Sequence, residues 1–198
     1  MINNTMISWR EFWYQPKLYI HPDWFNETGI TYINTDSSQI LWNIAFQHFC
    51  QDLNLAVVFD QEVNADWQQL IILLLTHLDD CLEIAGIATV NDINAASYGV
   101  VKASYRRWAS QLANALAINQ RFAIPNELIK AKEKGAWLMY ALLQSKHFES
   151  WQRLKLALEP SMVKNIEALH SVSDLSIKSQ AVLLRFWRNI TNRISINR

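Results

Sequence analysis

Three potential metal ligands lie close together in the chain. His77, Asp80 and Cys81 are spaced i, i+3 and i+4, so a helix would place them on one face. Imidazole, carboxylate and thiolate are all groups that zinc accepts. The alternative is the polar edge of a core helix in which Cys81 is buried. Because no second cluster of ligands is apparent, we favour that alternative and expect no metal.

A second candidate is the pair Glu167 and His170, which matches half of the motif of di-iron helical bundles. Such sites need two copies of the motif and further glutamates. We therefore interpret the pair as a solvated helix end. His21 and His48 show no metal-ligand spacing, and we expect His21 to cap or pack a turn.

The sequence contains no recognisable catalytic motif. Gly-x-Ser-x-Gly is absent, and the four glycines, at positions 29, 86, 99 and 135, are too far apart to form a phosphate-binding loop. We expect no enzymatic activity and no cofactor.

Three basic stretches could bind a polyanion. They are Arg106-Arg107-Trp108, the lysines at 130, 132 and 134, and the end of the chain, where Arg185, Arg188, Arg193 and Arg198 alternate with apolar residues. The last could lie on an anionic membrane. We favour an amphipathic helix that closes the core, because its apolar residues form one continuous stripe that the core requires.

Charge is distributed unevenly along the chain, although the formal net charge is zero. Residues 1–99 contain two basic and twelve acidic residues, and residues 100–198 contain sixteen basic and six acidic ones. The two halves could pair with each other, which we favour, or form a bipolar molecule that lies between two partners.

The bulk composition is that of a globular chain. Of the 198 residues, 51% are hydrophobic and nine are Trp. Cys50 and Cys81 lie in apolar helical patterns and are expected to be buried, reduced thiols. We find no signal peptide, and no apolar run is long enough to span a membrane, so we predict a cytoplasmic protein.

Helical periodicity dominates, and no segment alternates with a period of two. We predict an all-α, irregular single-domain fold of about seven to eight helices, in which an aromatic segment, residues 1–35, docks on a helical core, residues 36–198. Asn64 should cap a helix that runs to about Ala85, with Gly86 as its C-terminal stop. Ser173 should cap the last helix, and residues 56–59 should be a buried connector. The remaining predicted helices cover residues 40–53, 92–118, 125–146, 148–158 and 161–170.

The most unusual stretch is residues 8–25, which contains seven aromatic residues and two prolines. Ser8 and Glu11 form a capping box, so a short helix should begin there. Pro16 and Pro22 exclude one continuous helix. We predict an extended segment at residues 17–20 and a second short helix from Pro22.

This stretch resembles a family signature. Small accessory proteins of bacterial type III secretion systems, the SctK family that includes OrgA and MxiK, carry a similar Pro-x-x-Tyr-Ile/Leu-His segment near the N-terminus. Here Pro16, Tyr19, Ile20, His21 and Pro22 match it. The motif covers about fifteen residues, and the rest of the chain is similar in pattern only.

The resemblance implies a non-enzymatic adaptor at the cytoplasmic face of the inner membrane. Its partners would be the cytosolic domain of the inner-membrane ring protein and the C-ring-like pod protein of the sorting platform, with the stator and ATPase attached indirectly. A nucleic-acid-binding regulator and a metal-dependent helical enzyme are the alternatives. As partner-binding residues we select Trp9, Trp13 and Trp24, together with Arg185 and Arg188.

Overall fold

The computed structural model describes residues 7–27, 39–53, 55, 63–89, 103–169 and 175–196. Within these ranges 79% of residues are helical and none is in a strand, which confirms the all-α prediction. Eight of the eleven α-helices have seven residues or more. The helices are α1 (Trp9–Tyr14), α2 (Asp23–Glu27), α3 (Gln39–Asp52), α4 (Ala65–Thr76), α5 (Leu78–Ala88), α6 (Ala103–Ala115), α7 (Ile118–Arg121), α8 (Ala131–Gln144), α9 (Phe148–Leu154), α10 (Pro160–Ala168) and α11 (Ile177–Ile196).

Helices α5 and α8 form the centre of the fold. A Cβ atom added at Gly86 would lie 1.7 Å from the carbonyl oxygen of Ala131, and one added at Gly135 would lie 2.1 Å from that of Leu82. Residue 82 thus faces residue 135, and residue 86 faces residue 131. The two helices therefore run antiparallel, with their backbones in contact. The prediction that Gly86 ends a helix is wrong, because Gly86 lies inside α5, where only hydrogen fits.

The predicted helix over residues 64–85 is in fact two helices. Asn64 caps α4 as predicted, accepting a hydrogen bond from the Trp67 backbone at 3.1 Å. At His77 the backbone leaves helical geometry, with φ −126° and ψ 36°. Asp79 and Asp80 then lie in the first turn of α5, where negative charge stabilises the positive end of a helix.

Other helix boundaries also differ from the prediction. Helix α8 begins at Ala131 rather than Pro125, and the Glu133 carboxylate accepts the Lys130 backbone N–H at 3.2 Å. Ser176 accepts the Ser179 backbone N–H at 3.1 Å at the start of α11. Several predicted features lie outside the described residues. They are the cap at Ser173, the position of Gly99, the start of the helix near residue 92, the connector at residues 56–59 and the boundary at residue 35.

Helix α3 lies where predicted. Of the apolar residues that recur along it at helical spacing, Phe49 and Cys50 are buried, whereas Ile40, Leu41 and Ile44 are 71%, 60% and 51% exposed. Trp42 and Ala45 join Phe49 and Cys50 in the core. Because α3 is apolar around most of its circumference, periodicity alone does not select the buried face.

The described part of the aromatic segment, residues 7–27, packs on the helical core. The Ser8–Glu11 capping box is present. Residues Pro16–Leu18 form a 3-10 turn, which corrects the extended segment predicted at 17–20. The Trp24 indole N–H donates to the Leu158 carbonyl at 2.9 Å. The His21 backbone N–H donates to the Leu156 carbonyl at 2.7 Å.

Helix α11 closes the core. Its inward residues are Leu183, Phe186, Trp187, Ile190, Thr191 and Ile194. This stripe agrees with the predicted amphipathic closing helix, while Ile177, at the start of α11, is 85% exposed. In the part of the chain that the structure describes, no helix combines the length and apolarity needed to cross a bilayer.

Candidate functional site

An open groove lies beside the segment that carries the family-like motif. Its volume is about 440 Å³, and we call it the His21–Asp80 groove. The aromatic segment, the junction between α4 and α5, and α8 all contribute to its lining, which includes Ile20, His21, Leu78, Asp79, Asp80 and Lys132. The 3-10 turn after α9 contributes Ala157, so the groove forms where four separate parts of the fold meet.

The motif side of the groove is fixed by backbone hydrogen bonds. The Ile20 N–H donates to the Pro16 carbonyl at 2.8 Å, which closes the turn that follows the first proline. The His21 imidazole accepts the Asp23 backbone N–H at 3.4 Å, as predicted for a capping residue, and lies 3.6 Å from the Asp23 carboxylate. The imidazole is thus held at the groove edge, 37% exposed.

The other side of the groove is acidic. Asp79 and Asp80 are exposed, and Asp79 forms an ion pair with Lys132 at 2.6 Å. One turn further along α5, burial raises the pKa of Glu83; Lys132 opposes the rise and Asp79 adds to it. Leu78 and Tyr19, which are 5% and 3% exposed, supply an apolar base.

The candidate metal ligands do not converge. Asp80 is exposed at the groove while Cys81 is completely buried, so their side chains occupy different environments. Among the described residues no group of three or more His, Cys, Asp or Glu side chains could hold a metal ion. Cys50 and Cys81 are buried, reduced cysteines, as predicted.

The predicted aromatic edge is not exposed. Trp13 and Trp24 are only 2% and 4% exposed, and Trp9 is half-buried, with its ring stacked on Phe12 at 5.1 Å. The selection of Trp13 and Trp24 as partner-facing side chains is therefore wrong for the folded chain. These rings fill the interface between the aromatic segment and the core, because burying their large apolar surface stabilises the docked segment.

Arg153 is a feature that the sequence did not reveal. Its side chain is 1% exposed, and the guanidinium lies 5.4 Å from the centroid of the Trp13 ring and 5.2 Å from that of Phe46. It also hydrogen-bonds with the Cys50 thiol, whose pKa is raised by burial. Burial likewise raises the pKa of the Tyr19 hydroxyl, which donates to the Phe12 carbonyl at 2.6 Å.

The two selected arginines of α11 lie apart from the groove. Arg188 pairs with Asp66 of α4 at 2.9 Å and lines a separate cavity of about 230 Å³. Arg185 is exposed, and its carbonyl accepts a hydrogen bond from the Asn189 side chain. The structure does not bring these arginines together with the selected tryptophans into one site.

Ion pairs join the acidic and basic halves of the chain. Lys132 pairs with Asp79, Arg188 with Asp66, and Lys164 with Glu27. These contacts agree with the favoured interpretation, in which the two halves partly neutralise each other by folding together.

Glu167 also differs from expectation. Instead of lying at a solvated helix end, its carboxylate accepts hydrogen bonds from the Trp151 indole at 2.8 Å and from the Lys155 ammonium at 3.1 Å. This arrangement links α9 to α10 and is structural. His170, the other half of the proposed motif, lies outside the described residues.

The groove combines an apolar base, exposed carboxylates and one lysine in an open depression. Such a surface is suited to binding a segment of another macromolecule rather than to enclosing a small substrate. No protein-family model matches the chain, and neither a curated protein nor a solved structure is significantly similar to it.

Proposed function

We propose that the protein is a non-enzymatic adaptor of a bacterial type III secretion system that connects the inner-membrane ring to the pods of the sorting platform. The proposal rests on the resemblance of residues 16–22 to the SctK family signature. One structural observation supports it: Ile20, His21 and Pro22 line an open surface groove, where a partner can reach them.

The surface chemistry is consistent with an adaptor. The exposed apolar residues Ile40, Leu41 and Ile44 lie along α3, and the groove carries carboxylates beside apolar surface. Protein-binding surfaces combine an apolar centre with a polar rim in this way. Two distinct surfaces are what a protein that joins two unlike partners requires.

The partners we propose are the cytosolic domain of the inner-membrane ring protein and the C-ring-like pod protein, with the stator and ATPase bound indirectly. In this role the protein would lie at the cytoplasmic face of the inner membrane and contact the membrane only through its partners. It would support protein secretion by helping the pods to assemble.

An affinity purification from the native host tests the proposal. The full chain is tagged and mildly crosslinked in cells, and co-purifying proteins are identified by mass spectrometry. We expect the pod and ring proteins to be enriched relative to a control purification with a tagged, unrelated helical protein. Recovery of no secretion component would contradict the adaptor role.

A further inference from the structure

We propose that the His21–Asp80 groove binds a basic, amphipathic segment of a partner protein. This inference rests on the adaptor function proposed above and specifies the chemistry of one partner. The segment would place its apolar side chains on the base of the groove and its Lys or Arg side chains against the carboxylates at the edge.

Charge complementarity supports this occupant. Asp79 and Asp80 belong to the groove, Asp23 lies 3.6 Å from His21 at its motif side, and Glu83 follows on α5. Lys132 is the lysine in the lining, and it is already paired with Asp79 at 2.6 Å. Carboxylates therefore exceed the cation, so the groove attracts a positively charged segment.

The groove has apolar surface as well as carboxylates. Ile20 and Ala157 are partly buried and Pro22 is exposed, and all three line the groove together with the core residues Leu78 and Tyr19. The long aliphatic parts of Lys and Arg side chains cover such surface while their charged ends reach the carboxylates. An acidic segment would meet like charge, and a purely apolar one would leave the carboxylates desolvated.

The motif residues acquire a clear role under this proposal. Pro16 and Pro22 bound a turn that is tied to Leu156 through the His21 backbone. Because this turn is fixed before binding, a partner segment does not have to order it, which favours affinity. The motif would thus form one wall of a preformed binding site.

Two synthetic peptides of 14 residues provide the probe, one helical with Leu on one face and Lys on the other, and one with Glu in place of every Lys. Binding to the full-length protein is measured by fluorescence anisotropy at two salt concentrations. We expect the Lys peptide to bind at least tenfold more tightly than the Glu peptide, and more weakly at high salt.

Two charge reversals locate the binding. Asp80→Lys should raise the Kd of the Lys peptide at least fivefold. Asp52→Lys makes the same charge change at the exposed end of α3, outside the groove, and should alter the Kd less than twofold. If Asp80→Lys unfolds the chain, as judged by circular dichroism, Asp80→Asn replaces it, with Asp52→Asn as its control.

Equal weakening by both reversals would show non-specific attraction and overturn the proposal, as would failure of the Lys peptide to bind. The assay uses no secretion protein, so its result is independent of the affinity purification. A groove that binds the Lys peptide in a protein that recovers no secretion component would refute the adaptor role and leave the binding site standing.

Discussion

Two interfaces hold the molecule together by opposite means. Between α5 and α8, Gly86 and Gly135 remove side chains so that the two backbones touch. Between the aromatic segment and the core, large rings and a buried guanidinium fill the space. The first interface tolerates no added atom, whereas the second depends on the volume of the side chains already there.

Of the four sites compared here, Gly135 should give the largest effect when it is replaced by Ala. The new Cβ would lie 2.1 Å from the Leu82 carbonyl oxygen, so the two helices must separate although alanine favours the helix. We expect a loss of about 3 kcal/mol or more in the free energy of unfolding, measured by urea denaturation. Gln144→Ala, on the exposed end of the same helix, is the control and should change stability by less than about 0.5 kcal/mol. Equal effects of the two changes would contradict the close contact.

Arg153→Ala should rank second. It leaves a cavity between the Trp13 and Phe46 rings, and we expect a loss of about 2–4 kcal/mol, measured by urea denaturation. Arg153→Met keeps most of the buried volume and removes the charge. Because replacing a buried charge with an apolar side chain is often tolerated, Met should retain more stability than Ala. Equal losses would show that the charge, and not the volume, holds this interface together.

Local sequence signals predicted the local features of the fold. The Ser8–Glu11 box, the Asn64 cap and the position of α3 follow from interactions within a few residues, so they could be recognised from the chain alone. The two glycines could not be interpreted in this way. Their role depends on which helices cross, and a glycine near a predicted helix end is typical of a stop signal.

The candidate site was only partly predictable. The sequence drew attention to residues 16–22, but it did not reveal that they line a groove with Asp79 and Asp80, since that proximity depends on tertiary packing. The same limitation explains Trp13 and Trp24. Composition shows that aromatic surface must be covered, but not whether the chain itself or a partner covers it.

Trp24→Phe tests whether a hydrogen bond, as well as ring volume, holds the aromatic segment on the core. It keeps a ring but removes the indole N–H that donates to the buried Leu158 carbonyl at 2.9 Å, so we expect a loss of about 1–2 kcal/mol in thermal or urea denaturation. Trp9→Phe is the matched control, because the Trp9 indole nitrogen makes no hydrogen bond to the described residues. An equal loss in the two variants would mean that ring volume alone, and not the hydrogen bond, secures residue 24.

The smallest expected effect concerns Glu83, which is half-buried on α5. Its pKa is raised above the ordinary value of 4.5, mainly by burial, so the folded state binds this proton more tightly than the unfolded state. The ionised carboxyl therefore lowers stability as pH rises from 4.5 through the raised pKa. Glu83→Gln should consequently improve stability relative to the wild type at pH 7 more than at pH 4, in parallel urea titrations. Glu127→Gln, in the exposed turn before α8, controls for the general effect of removing one negative charge. An identical pH profile for the two variants would indicate that the environment of Glu83 beside the tight α5–α8 contact does not influence its ionisation.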